Sequence, residues 1–416
     1  MTETIGLRPW MSEPATGEVM DALARAGGQD CARFVGGCIR NTVLSQPVDD
    51  IDIATTLTPE QVVKALETAD LRAVPTGIDH GTVTALAGGR AFEITTLRVD
   101  LKTDGRHALV AFTDDWARDA ARRDFRFNAL YADRQGRLFD PTRHGLEDAR
   151  AGAVVFVGDP EARIEEDALR ILRFFRFLAL YGRGEPDARA LAACRKHSGL
   201  VESLSAERVA HELFKLLSAE DPRAAVRLMA SSGVLARLLP HVSSLQRFEA
   251  LVEIEGGVLF SSDALIRLAA LLPGKPGAGR EAAQRLRLSR VQSDRLEAAL
   301  GAEPALTSWM SPRQTRRAVW TIGAETFRDR VLLAWASSDR PAAGVQWRAL
   351  LPIAETWPAP RLPLSGDDVM AAGVPPGPLV GKVLREVEAW WIDQDFPDDR
   401  LSLIERLKAV AQGMAY

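Results

Sequence analysis

A chain of 416 residues with 46% apolar side chains is too long for one ordinary domain and too hydrophobic to be disordered, so about two to four packed domains are expected. Its formal charge of −4 excludes a molecule that is basic throughout and leaves any nucleic-acid affinity to local patches. Three cysteines with no C-x-x-C pair, no apolar run of membrane-spanning length and no charged-then-apolar leader predict a soluble cytoplasmic protein with reduced thiols.

Of the 52 basic residues only seven are lysine, so arginine carries most of the capacity to hold phosphate. Residues 15–28 have helical spacing through Val19, Met20, Leu23 and Ala24 and stop at Gly27-Gly28. The stretch 35–56, VGGCIRNTVLSQPVDDIDIATT, reads as strand, glycine turn, short helix, loop and a second strand carrying Asp50 and Asp52. Residues two apart on a strand face the same way, so these two aspartates point together while Ile51 and Ile53 point to the other face. Paired acidic oxygens of this kind suit Mg²⁺ that is also held by a nucleotide's phosphates. Gly36-Gly37 leaves backbone N–H groups open to phosphate oxygens, and Arg40, one helical turn on, can reach the same anion.

Thr58-Pro59-Glu60 then supplies an N-cap, an N1 proline and a first-turn acid for a helix running to about residue 69. Strand-like stretches at 71–74, 82–87 and 91–97 join the first two in a five-stranded mixed sheet backed by helices. Glu93, alternating with Phe92 and Ile94, reads either as a third metal carboxylate or as an exposed strand glutamate. Residues 98–114 are polar and turn-rich and read as a mobile loop over the site. In ARRDFRFNAL, from residue 121, Phe125, Phe127 and Leu130 interleave the charges and demand burial. From Glu161 the pattern is helical, with Arg170, Arg173 and Arg176 at every third position. Beyond residue 235 the chain reads as amphipathic helices, with breaks at Pro240, at 273–277 and at 358–363.

The pattern G-G-x-x-R-N followed by D-x-D resembles the head of the DNA polymerase beta-like nucleotidyltransferases. More narrowly it resembles the class II CCA-adding tRNA nucleotidyltransferases and their bacterial poly(A) polymerase relatives. Asn41 stands where that family usually has aspartate. The match continues through Phe92-Glu93-Ile94-Thr95-Thr96, through Arg122-Arg123-Asp124-Phe125 with Asn128-Ala129, and through Glu166-Asp167-Ala168-Leu169-Arg170.

The resemblance implies an α+β protein: a nucleotidyltransferase head at 1–150, a helical neck with the nucleobase-selecting motif at 151–235, and a helical, tRNA-binding body and tail at 236–416. It implies Mg²⁺-dependent, template-independent addition of C, C and A to tRNA from CTP and ATP, with no obligate protein partner. Asp50, Asp52 and Glu93 would be catalytic, the first two as metal ligands. Gly37, Arg40, Arg123, Asp167, Arg170, Arg173 and Arg176 would bind the nucleotide, with Asp124, Asn128, Glu207, Glu212 and Lys215 as braces. Asp167 and Arg170, three apart on one helix, would share a face and read the amino-donor, ring-nitrogen-acceptor edge common to cytosine and adenine. A poly(A) polymerase with the same head, and an inactive RNA-binding protein that kept the fold, are the alternatives. Gly77-Ile78-Asp79-His80-Gly81-Thr82-Val83 looks like the CCA-adding version, and intact Asp50, Asp52, Asp167 and Arg170 argue for an active enzyme.

Overall fold

The computed structural model describes residues 3–104, 107–257, 261–338 and 344–414. They divide into two compact units, Met1–Pro240 and His241–Tyr416.

The first unit opens on α1 (Pro14–Gly27), which buries Val19, Met20 and Leu23 along one face. β1 (Ala32–Val35) runs into Gly36, whose φ of +74° strains any residue with a Cβ, and α2 (Gly37–Val43) starts at once. β2 (Ile51–Thr55) returns antiparallel to β1. α3 (Pro59–Thr68) begins as the sequence predicts. The Thr58 hydroxyl accepts from the Gln61 backbone N–H at 3.4 Å, and the Gln61 side chain accepts from the Thr58 N–H at 2.9 Å. β3 (Arg72–Gly77), β4 (Thr82–Ala87) and β5 (Arg90–Thr96) form an antiparallel meander whose last strand lies parallel to β2.

Residues 98–104 and 107–112 are not an irregular loop. They form an antiparallel pair of strands, β6 (Arg98–Asp104) and β7 (His107–Phe112), with a register shift between Asp100 and Lys102. α4 (Trp116–Ala121) follows, capped by the Asp115 carboxylate. The main sheet has seven strands rather than five, in the order β3-β4-β5-β2-β1-β8-β9. The additional pair, β8 (Tyr131–Ala132) and β9 (Leu138–Phe139), continues the sheet beyond β1, and two residues apiece are too few to display alternation.

Helices complete the unit: α5 (Gly145–Ala151), α6 (Pro160–Glu166), α7 (Leu169–Tyr181), α8 (Ala188–Lys196), α9 (Ala206–Leu217), α10 (Arg223–Ser231) and α11 (Val234–Leu238). Phe125 and Phe127 are buried as their spacing demands. They lie against Phe177 of α7 with ring centroids 5.3 Å apart in each case, and Phe125 also meets Phe156 at 4.6 Å. This aromatic block fixes α7 against the segment that carries Arg123 and Asn128, which is how the site below is assembled.

The second unit is helical throughout its described residues. It runs through α12 (Gln246–Gly257), α13 (Ala264–Leu271), α14 (Ala278–Arg285), α15 (Arg290–Ala299), α16 (Pro312–Ile322), α17 (Ala324–Ala336) and α18 (Val345–Thr356). α12 and α13 are joined by a buried ion pair, Arg267 to Glu255 at 2.6 Å. α19 (Gly366–Ala371), α20 (Pro378–Asp393) and α21 (Arg400–Met414) close over Val369, Val383, Val387 and Leu407. No helix among the described residues is long and apolar enough to cross a membrane.

Candidate active site

The parallel pairing of β2 with β5 sets Asp52 opposite Glu93 and places Ile51 opposite Phe92 and Ile53 opposite Ile94. The four apolar side chains are buried, so the two acids share the sheet's other face. Asp50 lies one residue before β2 rather than on it, and it is exposed. Burial, then Glu93 and Asp50, push the Asp52 carboxyl up to about 6 against the opposing pull of Arg123. Among the described residues no side chain donates a hydrogen bond to these three carboxylates. That excess of like charge fits a divalent cation. Among the described residues no three His, Cys, Asp or Glu side chains converge closely enough to hold an ion.

Two arginines flank the glycine turn. A Cβ on Gly36 would lie 3.8 Å from both Arg123 Nη1 and Asp52 Oδ2, and one on Gly37 would lie 3.8 Å from Arg40 Nη2. Arg123 is oriented by Asp119, a residue that sequence reasoning passed over. The Asp119 carboxylate accepts from Arg122 Nε at 2.8 Å, Arg123 Nη2 at 3.0 Å and the Tyr131 hydroxyl at 2.7 Å. Burial alone would raise this carboxyl, but Arg123, Arg122 and Tyr131 hold it at about 2.

Arg40 does not reach freely toward the turn. Its guanidinium donates to Asn128 Oδ1 at 2.7 Å, to Asn41 Oδ1 at 2.8 Å and to the Tyr181 hydroxyl at 2.9 Å, and it stacks 4.4 Å from the Tyr181 ring. Asn41 therefore accepts from Arg40 as an aspartate could, but without a charge. Tyr181, at the end of α7, gave no sequence signal, because its neighbours read only as amphipathic helix.

The segment 161–181 departs from expectation. The helix is broken: α6 ends at Glu166, Asp167 has extended backbone angles (φ −152°, ψ 105°), and α7 starts at Leu169. Asp167 Oδ1 accepts from the Leu169 N–H at 3.0 Å, so the aspartate caps the second helix instead of riding on it. Asp167 and Arg170 consequently do not stand on one helical face. Asp167 Oδ2 pairs with Arg208 of α9 at 2.7 Å, whereas Arg170 Nη1 pairs with Glu166 at 2.6 Å. Arg170 Nη2 also donates to the Arg122 carbonyl at 3.2 Å, and Arg163 donates to the Ala121 carbonyl at 3.1 Å.

The arginine row of α7 splits in the same way. Arg173 binds Asp124 at 2.5 Å, and Asp124 also accepts from Asn128 at 3.2 Å. Arg176 is buried against Glu212 of α9 at 3.1 Å. Asp52, Glu93 and Arg123 thus lie at the β2–β5 face and the glycine turn, with Asp50 just before β2; Arg170 borders them through the Arg122 carbonyl, Asp167 is held by Arg208, Arg173 by Asp124, and Arg176 is buried against Glu212.

Residues 32–155 match the poly A polymerase head domain, and residues 185–245 match the probable RNA and SrmB-binding site of polymerase A. The mouse mitochondrial CCA tRNA nucleotidyltransferase 1 is 31% identical over 90% of this chain and 86% of its own length. The CCA-adding enzyme of Streptococcus gordonii is 31% identical over 94% of this chain and 96% of its own. Among solved structures, the Bacillus stearothermophilus CCA-adding enzyme in complex with CTP superposes with a TM-score of 0.75 at 25% identity, covering 96% of this chain and 100% of that one.

Proposed function

We propose that this chain, which belongs to the family of CCA-adding tRNA nucleotidyltransferases, adds C, C and A in turn to the 3′ end of tRNA from CTP and ATP. No nucleic-acid template is used, and pyrophosphate is released. The observation that carries the reading is Asp52 set opposite Glu93 across β2 and β5, with Asp52 Oδ2 beside the Gly36 turn. No folding requirement selects carboxylates in mutual repulsion at that place.

Asp50 and Asp52 would hold a divalent cation, with Glu93 beside them, and we take that cation to be Mg²⁺. When bound it lowers the pKa of the RNA 3′-hydroxyl and neutralises phosphate charge. The chain's own residues position the reaction. The Gly36-Gly37 turn lets the triphosphate approach the main chain, and Arg123, fixed by Asp119 and Tyr131, presents Nη1 toward the same turn. The 3′-oxygen then attacks the α-phosphorus in line. The new P–O bond forms as the bond to the bridging oxygen of the leaving pyrophosphate breaks.

Asp167 and Arg170 are the proposed readers of the base, with Arg208 and Glu166 as the partners each gives up when a nucleotide enters. Arg40, Arg173 and Arg176 act as positioning residues, since Asn128, Asp124 and Glu212 already occupy them. Head, neck and tRNA-binding body and tail are assigned to 1–150, 151–235 and 236–416, and we place the enzyme in the cytoplasm. Purified protein given tRNA lacking its 3′ end should incorporate C from CTP alone and finish with a single A when ATP is added. Long A-tails from ATP alone would instead identify a poly(A) polymerase.

A further inference from the structure

Two joined clefts in the second unit, of about 330 and 290 Å³, share Arg247, Gly274 and Ser337, and the larger also takes in Arg330. Among the described residues no aspartate or glutamate lines either one. Arg247 of α12 is held by the carbonyls that end α13. Its Nε donates to Ala270 at 3.0 Å, and its Nη2 donates to Ala269 at 2.8 Å and to Leu272. Arg330 of α17 is held likewise, its Nη1 donating to the Glu303 carbonyl at 2.7 Å and its Nη2 to the Pro304 carbonyl at 2.8 Å. A guanidinium has five N–H donors, so Arg247 keeps both hydrogens of Nη1, and Arg330 keeps Nε–H and one hydrogen on each Nη. Burial lowers the pKa of both arginines. Nothing opposes it at Arg247, and at Arg330 only Glu303, which lies outside the lining, does so.

We propose that these clefts form a phosphate-binding groove for the sugar-phosphate backbone of RNA. Two rigidly tethered cations with spare donors and no resident acid are half of an ion-pair arrangement, and a phosphate supplies the other half. Gly301, Ala302 and Ala305 give the larger cleft a shallow aliphatic wall that accommodates ribose. The groove's two compartments exceed the needs of a single free anion. The inference rests on the tRNA-directed reading above and assigns it a place in the second unit.

Gly274 supplies the test, because a Cβ built there lies 3.4 Å from Arg247 Nη1 in open surroundings. Gly274→Asp in the full-length chain should seat a tethered carboxylate on Arg247 without removing a packing contact, and Gly274→Asn is the uncharged control. Binding of tRNA lacking its 3′ end is measured as a function of salt, alongside KM for CTP and the unfolding midpoint. The expected result for Gly274→Asp is about ten-fold weaker tRNA binding at low salt and a salt slope smaller by roughly 0.7–0.9, the signature of one lost phosphate contact. KM for CTP and the unfolding midpoint should stay as in the parent, and Gly274→Asn should match the parent throughout. Parental affinity and slope in Gly274→Asp would overturn the proposal. So would loss of inorganic pyrophosphate binding, titrated separately, with tRNA binding intact, since the cleft would then serve free anions. Failure of CCA addition itself would appear in the parent protein's incorporation assay, independently of this slope.

Discussion

Replacing Asp119 with asparagine isolates the group that orients Arg123. The carboxylate is 1% exposed and accepts from two arginines, from the Tyr131 hydroxyl and from the Arg98 backbone N–H at 3.3 Å. Its carboxyl is depressed from 3.8 to about 2, roughly two pKa units, so the ionised form is worth on the order of 2.5 kcal/mol to the fold. Asparagine keeps one acceptor but turns an NH₂ toward guanidinium groups. Breaking a buried pair costs about 3–5 kcal/mol. Arg122 and Arg123 retain some exposure and recover part of that in water, so we expect a loss of about 2–4 kcal/mol at pH 7. The sign of the pH dependence follows from the depressed carboxyl. Its contribution is complete above the unfolded-state pKa of about 3.9 and disappears as pH falls through about 2. The gap between parent and variant should therefore narrow steadily from pH 4 downward. Urea unfolding at pH 7, 4 and 3, with hydrogen exchange to report on the first unit, measures it. A loss under 0.5 kcal/mol at pH 7, or a gap unchanged at pH 3, would refute the reasoning.

Asp52→Asn should reduce nucleotide incorporation by at least about a thousand-fold with little loss of stability, because it relieves repulsion from Glu93 and Asp50, and single-turnover assays with CTP would show it. Asp167→Ala should erode the preference for CTP and ATP over UTP and GTP by roughly 10- to 100-fold, read from competing kcat/KM values, and unchanged preference would reduce the residue to a cap for α7. In the second unit, Glu255→Ala removes the carboxylate half of the buried pair with Arg267 and should cost about 3–5 kcal/mol by denaturant unfolding, whereas single-nucleotide incorporation from a saturating CTP pool should change little.

The site's framework was legible because each part has a local cause. Gly36-Gly37 marks a turn, alternation puts Asp52 opposite the isoleucines, and Thr58-Pro59-Glu60 announces a helix. Glu93 could be placed beside Asp52 only as one of two readings, since strand register is a long-range property that no local pattern states. β8 and β9 were missed for the same reason: two-residue strands exist only through their partners. The β6–β7 pair was missed because polar side chains along 98–104 obscure any strand spacing there. Asp119 also left a trace, arginines three and four residues on, although such spacing usually means a solvated face. The break at Asp167 was hidden because residues 161–181 are good helix formers on both sides of an aspartate that caps with its side chain.

Arg163 and Arg170 attach the helix break to the carbonyl oxygens of Ala121 and Arg122, not to their side chains. A main-chain oxygen is present whatever residue occupies the position. Sequence drift at 121 and 122 can therefore proceed without disturbing this attachment, and paired substitutions between the two segments would leave no trace of it. The constraint of this attachment falls on its donors, Arg163 and Arg170, while Arg122 is held separately, through its side chain's pair with Asp119.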